Sequence, residues 1–196
     1  DGTITDSGNL SVSGVATFAA GTANNITFDN NNNFSAVAVT SGNHVTLKDT
    51  NAVILGASTI NGDLGVTASG TITDSGDLSV GGTTTLAAGT GNDITLNNSN
   101  DFGTVVITTG RNVTLVDTNA IDLGASTVSG TLSIMAGGDI TQSGALSVTS
   151  GSSAFTINAG ANKNVLLGTE ANHFGSQAVT ITTSGGGSIQ DVSFRN

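Results

Sequence analysis

The hexapeptide Thr3-Ile4-Thr5-Asp6-Ser7-Gly8 recurs unchanged at residues 71–76 and, altered at two positions, at residues 139–144. Both steps, from position 3 to 71 and from 71 to 139, have the same length of 68. Residues 1–68 can be laid over residues 69–136 without a gap, and 40 positions are then identical. A repeat with a fixed period predicts a stacked architecture in which each unit packs on the next. We call residues 1–68 unit 1, residues 69–136 unit 2 and the divergent residues 137–196 unit 3.

Each unit contains smaller divisions, marked by triplets in which a polar residue is followed by Ile or Val and then Thr. The centres of seven such triplets are Ile4, Ile26, Val45, Ile72, Ile94, Val113 and Ile140. Their positions differ by 22, 19 and 27, and then by 22, 19 and 27 again. Because side chains alternate between the two faces of a strand, the Ile or Val is expected to point inward while its neighbours point outward. The spacing therefore predicts three coils in each unit, with the triplet centres stacked in one column.

Short apolar runs such as Leu10-Ser11-Val12 and Val53-Ile54-Leu55 follow the triplets, and Gly, Asn, Asp and Ser separate them. These separating residues form corners because they tolerate positive φ or bond to their own backbone. No helical spacing of apolar residues appears, and proline, which would interrupt backbone ladders, is absent from the chain. The sequence predicts an all-β fold, a right-handed parallel β-helix of about nine coils that forms a single domain over residues 1–196.

The charge of the chain argues against several classes of partner. Fourteen acidic and four basic side chains give a formal net charge of −10, which disfavours binding to nucleic acid or to an anionic membrane. No run of apolar residues is long enough to predict membrane insertion, and the chain has no cysteine for disulfide bonds. The pattern is already in progress at residue 1, so we expect the chain to be a fragment of a longer protein.

Three motifs carry a resemblance to a known family. They are Gly-x-Ile-Thr-x-Ser-Gly-x-Leu-x-Val (residues 2–12, 70–80 and 138–148), Ala-Gly-Thr-x-Asn-x-Ile-Thr (20–27 and 88–95) and Leu-Gly-Ala-Ser-Thr (55–59 and 123–127). The sequence resembles the repeats of filamentous-haemagglutinin-like large bacterial exoproteins along essentially its whole length. The resemblance implies a right-handed β-helix shaft, an extracellular or bacterial cell-surface location, export by two-partner secretion and an adhesive role.

Unit 3 departs from the pattern of the first two units. The step from Ile140 to Val165 is 25 instead of 22, and we expect the three extra residues to bulge around Gly151-Ser152-Ser153. Leu166 replaces the outward threonine of the earlier triplets, and the next member of the inward column is expected to be Ile189, followed by an outward Gln190. A bulging loop of this kind is either a binding loop or ordinary variation between repeats.

The threonines that follow the triplet centres would form a long outward column. The residues of this column are Thr5, Thr27, Thr46, Thr73, Thr95, Thr114 and Thr141. A flat threonine array suits ice binding, but the adjacent column is chemically mixed, and threonine is also a favourable surface residue of strands. We therefore interpret the threonines as structural.

Other polar groups also have structural explanations. Asparagines precede Phe34 and Phe102 and, when stacked, can hydrogen-bond between coils. Each Phe is expected to point inward and fill a wide corner. Aspartates recur at positions 6, 74, 49 and 117 and are interpreted as turn caps rather than calcium ligands. His44 and His173 lie in unlike surroundings and form no recognisable pair with a nucleophile. The sequence predicts no catalytic, cofactor-binding or metal-ligating residue.

These observations lead to a functional hypothesis with two alternatives. We expect a non-enzymatic structural and adhesive shaft of a large secreted bacterial surface protein, whose partners are glycans or proteins of host or neighbouring cells. The first alternative is a self-assembling extracellular fibre in which identical chains stack end to end through their open edges. The second is a carbohydrate-active tailspike or autotransporter passenger, which would need clustered acids in a groove.

Overall fold

The computed structural model describes residues 1–196, and every regular element in it is a β-strand. Since there is no helix, there is none with the length and apolar character needed to cross a membrane. The strands in chain order are β1 Ile4–Thr5, β2 Ser11–Ala19, β3 Ile26–Ser41, β4 Val45–Asp49, β5 Val53–Leu55, β6 Ser58–Ile60, β7 Leu64–Ala68, β8 Ile72–Asp74, β9 Leu78–Ala87, β10 Ile94–Thr109, β11 Val113–Asp117, β12 Ile121–Leu123, β13 Ser126–Val128, β14 Leu132–Ala136, β15 Ile140–Gln142, β16 Leu146–Val148, β17 Ser153–Ile157, β18 Lys163–Leu167, β19 Val179–Thr183 and β20 Ile189–Phe194.

The strands form two long parallel ladders that run along the axis of a solenoid. Face one is the ladder made by β1, the first part of β3, β4, β7, the last parts of β9 and β10, β12, β15, β18 and β20. Face two is the ladder made by the last parts of β2 and β3, then β5, β8, the first part of β10, β11, β14, β17 and β19. The predicted all-β parallel solenoid is therefore confirmed.

The ten rungs of face one correspond to about nine turns from β1 to β20, the number of coils predicted. Coils in the first two units are short, as shown by Val45 and its ladder partner Leu64, whose residue numbers differ by only 19. The coils of unit 3 are longer, because the step from Ile140 to its partner Val165 is 25 and the step from Val165 to Val192 is 27. Nine intervals of about 4.8 Å make the stack about 43 Å long.

Alternating side chains build one continuous core. In β4 the burial pattern alternates strictly, with Val45, Leu47 and Asp49 buried and the two residues between them exposed. A single cluster of 41 buried hydrophobic residues runs through the stack. The apolar residues packed against this cluster but only partly buried lie in the terminal coils: Ile4, Val12, Phe18, Val179, Ile181 and Ile189. Each coil is thus stabilised by burying apolar surface on its neighbours, at about 25 cal/mol per Å².

The prediction of three coils in each unit is wrong, because one unit makes three and a half turns. Ile4, Ile26 and Val45 do stack in successive coils of face one. The next rung above Val45 is Leu64 and not Ile72. Ile72 is fully buried but lies on face two, where it pairs with Val53. The long step from Val45 to Ile72 therefore contains a whole coil and a further half turn.

The half turn moves each repeated segment from one face to the other. The first triplet of unit 1 lies in β1 on face one, that of unit 2 lies in β8 on face two, and that of unit 3 lies in β15 on face one again. The short strands that join the faces alternate as well. β6 and the start of β9 pair on the flank where the chain returns from face two to face one, whereas β13 and β16 pair on the opposite flank. We call the flank from face one to face two the outbound flank and the other the return flank.

The structure corrects two expectations about unit 3. Val192, and not Ile189, is the ladder partner of Val165, because a register shift after Lys163 sets Ile189 opposite Lys163 and leaves Gln190 unpaired. The extra residues do not all bulge at Gly151-Ser152-Ser153, since Ser153 is buried and begins β17. Most of the additional length lies between β17 and β18, where Gly160 and Asn162 have positive φ. The expected outward position of Leu166, beside Thr141, is confirmed.

Candidate functional site

The most elaborate polar arrangement of unit 1 is a buried corner on the outbound flank. The side chain of Asn32 is fully buried, donates a hydrogen bond of 2.7 Å to Asp6 Oδ2 and accepts one of 2.8 Å from the Leu10 amide. The Asp49 carboxylate, 3% exposed, accepts a hydrogen bond of 2.6 Å from the Phe34 amide. The ring of Phe34 fills the corner from inside. Polar side chains here replace backbone partners at the point where the chain turns between faces.

Unit 2 repeats this corner on the return flank. Asn100 donates to Asp74 Oδ2 at 2.9 Å and accepts from the Leu78 amide at 2.8 Å. Asp117 is fully buried and accepts from the Phe102 amide at 2.7 Å. The half turn between units therefore places the same network on opposite sides of the solenoid.

Unit 3 keeps the corner but removes its charges. Asn172 Nδ2 donates to Gln142 Oε1 at 3.0 Å, and Asn172 Oδ1 accepts from the Leu146 amide at 2.9 Å. The Phe174 amide donates to the Asn196 side chain at 2.9 Å, as its counterparts donate to aspartates in the first two units. Amides thus make in unit 3 the hydrogen bonds that carboxylates make in the first two units.

The electrostatic environment of the carboxylates differs from site to site. Burial raises the pKa of Asp117 above its ordinary value of 3.8, against the lowering effect of the hydrogen bond from the Phe102 amide. At Asp6, hydrogen bonds from Asn32 and Asn30 outweigh the effect of burial and lower the pKa. Asp93 is the acceptor of a paired hydrogen bond from the Arg111 guanidinium at 2.7 and 2.9 Å, which lowers its pKa to about 2.

The structure tests the interpretation of the aspartates as turn caps. Asp49 and Asp117 each accept the amide hydrogen two residues later, from Asn51 at 2.9 Å and Asn119 at 2.8 Å, so the prediction is confirmed for them. Asp74 instead accepts the amides of the Asn97-Asn98 pair, which belongs to the next coil. The sequence predicted hydrogen bonds between coils for the asparagines but missed the buried aspartates that join adjacent coils with them. The signal was present in the spacing between the corner Phe and the buried Asp, which is 15 in both units.

The predicted threonine column is divided between the two faces. Thr5, Thr27 and Thr46 are ladder partners on face one, where the column continues with Gly65 and not with the next predicted threonine. The corresponding threonines of unit 2 stack on face two. A single flat array of seven threonines does not exist, because the half turn separates its members.

The two histidines lie far apart in the stack. His44 Nδ1 is 3.1 Å from Asp63 Oδ2 and accepts the Asp63 amide hydrogen at 3.1 Å, in a shallow groove that also contains Thr46 and Thr83. His173 lies near the opposite end of the chain, in an isolated bridge with Ser147. His44 Nδ1 is therefore occupied by a backbone donor.

The remaining surface is shallow. The largest groove, about 550 Å³, lies over β2, β3 and the turn before β5, and its lining includes Ser11, Asn33, Asn51 and Ile54 but no charged side chain. No three His, Cys, Asp or Glu side chains come together in a way that would hold a metal ion. The geometry thus presents extended strand surfaces instead of an enclosed pocket.

A parallel β-solenoid whose coils are joined by a repeated polar corner defines this chain as a repeat protein. A family model described as repeats of unknown function, DUF5649, matches residues 1–41, 42–109 and 110–182. The chain belongs to this family, and the central match spans one full period of the sequence repeat. No curated protein and no solved structure matches the chain.

Proposed function

We propose that this chain is a stiff segment of an extracellular structural shaft, which holds adhesive regions away from a bacterial surface. The observation that carries the proposal is the uninterrupted core: one cluster of 41 buried hydrophobic residues extends through coils that are also joined by parallel backbone ladders. Bending the stack would separate both the apolar contacts and the ladder hydrogen bonds on one side. A solenoid with these properties can hold other regions at a fixed distance without needing a binding pocket.

The surface also suits such a role. Few side chains are charged, the grooves are open and shallow, and the acidic net charge of −10 favours solubility. Partners of the complete protein would be glycans or proteins on host or neighbouring cells, in keeping with the resemblance to haemagglutinin-like exoproteins. The shaft itself needs no bound cofactor.

Stiffness is testable by a distance measurement between two spin labels. The chain has no cysteine, so the double variant Thr27→Cys, Leu166→Cys carries two unique labels, both on outward positions of face one. Seven rungs separate them, which corresponds to about 34 Å. A narrow distribution of distances at that value is expected by electron spin resonance, with unlabelled chain added to suppress signals between molecules. A broad distribution would contradict a rigid shaft.

Location is testable independently. Antibodies raised against the purified chain should label intact cells that produce the parent protein, without permeabilisation. Labelling that appears only after permeabilisation would contradict a surface location while leaving the measured stiffness unaffected.

Open apolar edges favour a second candidate, a fibre subunit that stacks end to end. Phe194 and Val192 are 41% and 52% exposed in the last strand, and Ile4 and Phe18 are only partly buried in the first two. Uncovered strand edges with apolar side chains are templates for further pairing. Light scattering at two concentrations separates the candidates, because open-ended stacking gives particles that grow with concentration whereas a shaft segment does not form long fibres.

A further inference from the structure

The outward surface of face two carries charge at one place only, the ion pair of Asp93 with Arg111 at the edge of the middle coils. Its main column continues through nine rungs without a break: Val15, Ala36, Ile54, Thr73, Thr95, Thr114, Ser133, Ala154 and Thr180. A second column beside it contains Thr17 and Ala38 at one end, and Val116, Met135, Thr156 and Thr182 at the other. None of these side chains is charged, although the chain has 14 acidic and 4 basic side chains.

Face one has a different outward surface. Lys48 stands beside Thr67 in one of its columns. Another column contains Thr83, Thr104 and Asp122, and the Asp122 carboxylate is the acceptor of a hydrogen bond from the Thr104 hydroxyl at 3.2 Å. Face one is therefore polar and partly charged where face two is apolar or hydroxylated.

The half turn in each unit makes a controlled comparison of the two faces possible. Equivalent positions of units 1 and 2 share a backbone conformation but lie on different faces. Unit 1 has Ile54 on face two where unit 2 has Asp122 on face one. In the opposite sense, unit 1 has Lys48 on face one where unit 2 has Val116 on face two.

At most of the positions that differ, the direction of divergence follows the face and not the unit. Five equivalent pairs place the apolar residue on face two and the polar one on face one: Val15 with Thr83, Ala36 with Thr104, Ile54 with Asp122, Val116 with Lys48 and Met135 with Thr67. Three pairs run the other way: Ala38 with Val106, Ser133 with Gly65, and Asp93 with Asn25. Variation between repeats without a surface constraint would not sort itself by face, since the two units exchange faces at every one of these positions.

We infer that face two is a docking surface for face two of a second copy of this chain. Two copies with a net charge of −10 repel each other, and face two is the long surface on which they can meet without bringing unpaired acidic groups together, since its Asp93 is paired with Arg111. Valine, isoleucine, alanine and threonine give a flat sheet surface whose side chains interdigitate with another sheet at about 10 Å. Because the same surface lies on both partners, the contact is self-complementary and closes at the dimer.

The dimensions of the surface predict a reversible contact. Eight intervals of about 4.8 Å and two columns of side chains give about 38 Å by about 14 Å, or roughly 500 Å². Stable interfaces bury about 800 Å² on each partner, so the dimer is expected to dissociate on dilution. Val15 and Ile54, which are 65% and 38% exposed, contribute the largest exposed apolar side chains of this surface.

The test is sedimentation of the whole chain over a wide range of concentration. The wild-type chain should show a monomer–dimer equilibrium, and Val116→Lys should raise the dissociation constant by about tenfold or more, because a lysine would be held against an apolar partner. Lys48 already occupies the equivalent position of unit 1, so the coil accommodates this side chain. Val106→Lys, a half-buried outward valine of face one, is the matched control and should leave dimerisation unchanged.

Circular dichroism of both variants separates loss of contact from loss of fold. The inference is overturned if the wild-type chain stays monomeric at every concentration, if both lysine variants weaken association equally, or if association continues beyond the dimer, as end-to-end stacking requires. Ile54→Asp, which installs the residue found at the same position of unit 2, provides a second variant and should also favour the monomer. The inference does not rest on the shaft function, since stiffness and surface location are measured separately.

Discussion

Thr84 places a hydroxyl group inside the core where no hydrogen-bond partner reaches it. The residue is fully buried on face one, between Leu64 below and Val105 above, and its Oγ1 is unpaired. The equivalent residue of unit 1 is the buried Ala16, so the position has no requirement for a hydroxyl. We predict that Thr84→Val stabilises the chain.

The magnitude follows from two terms of the same sign. An unpaired buried hydroxyl costs about 1–3 kcal/mol relative to water. The methyl group that replaces it has nearly the same shape and adds about 0.8 kcal/mol of apolar burial. Allowing for imperfect packing, the free energy of unfolding should rise by about 2 kcal/mol, which for a domain of this size corresponds to about 4–8 °C in Tm.

Urea unfolding followed by circular dichroism measures the change. The matched control is Thr85→Val, the next residue of the same strand, which is half-buried and points outward. It should alter the free energy of unfolding by less than about 0.5 kcal/mol. Equal or lower stability of Thr84→Val, at an unchanged dependence on urea, would show that the hydroxyl is satisfied or that the core does not accept the methyl.

Three further predictions concern other parts of the stack. Arg111→Ala should raise the pKa of Asp93 from about 2 towards 3.8 in an NMR titration. Because the lowered pKa stabilises the fold only while Asp93 is ionised, the stability difference between variant and wild type should be full above pH 4 and disappear as the pH falls towards 2. A stability difference that persists at pH 2 would contradict the pairing. Asn100→Ala should lower the free energy of unfolding in urea by about 2–4 kcal/mol, because it leaves a buried amide and a carboxylate without their partner, and a loss below about 1 kcal/mol would show that water replaces the side chain. Gly144→Ala should lower Tm strongly, because its Cβ would collide with the backbone of the coil below, whereas Gly91→Ala, with open space around it, should leave Tm nearly unchanged.

The sequence predicted the solenoid because its signal is strictly periodic. The stacked Ile4, Ile26 and Val45 and the inward Phe34 and Phe102 follow from alternation and spacing alone. These features depend on local strand geometry, which repeats from coil to coil.

The half turn was missed because one coil lacks the triplet that marks the others. The rung above Val45 begins at Leu64, followed by Gly65 instead of an outward threonine. Its inward alternation through Val66 is present in the sequence but carries no distinctive motif. Which strand stacks on which is a property of the folded chain, so the exchange of faces between units became evident only from the ladder partners.

The burial of the polar corner residues was missed for a different reason. Asp49 and Asn32 are charged or polar residues in a turn-rich segment, and the default expectation for such residues is exposure to water. Their burial depends on amides of other coils, including that of Leu10, which lies one coil before Asn32. Hydrogen-bond partners in neighbouring coils are separated in sequence by the length of a coil. That length has to be known before the partners can be identified.

The three-and-a-half-turn unit also has a consequence for how proteins of this kind change in length. Deleting or duplicating a single unit by recombination would rotate the part of the chain beyond it by half a turn about the solenoid axis. Gaining or losing two units together would leave the orientation of the distal end unchanged. Whether the number of such units is odd or even therefore determines which way the distal end faces, while the number itself determines the length of the stack.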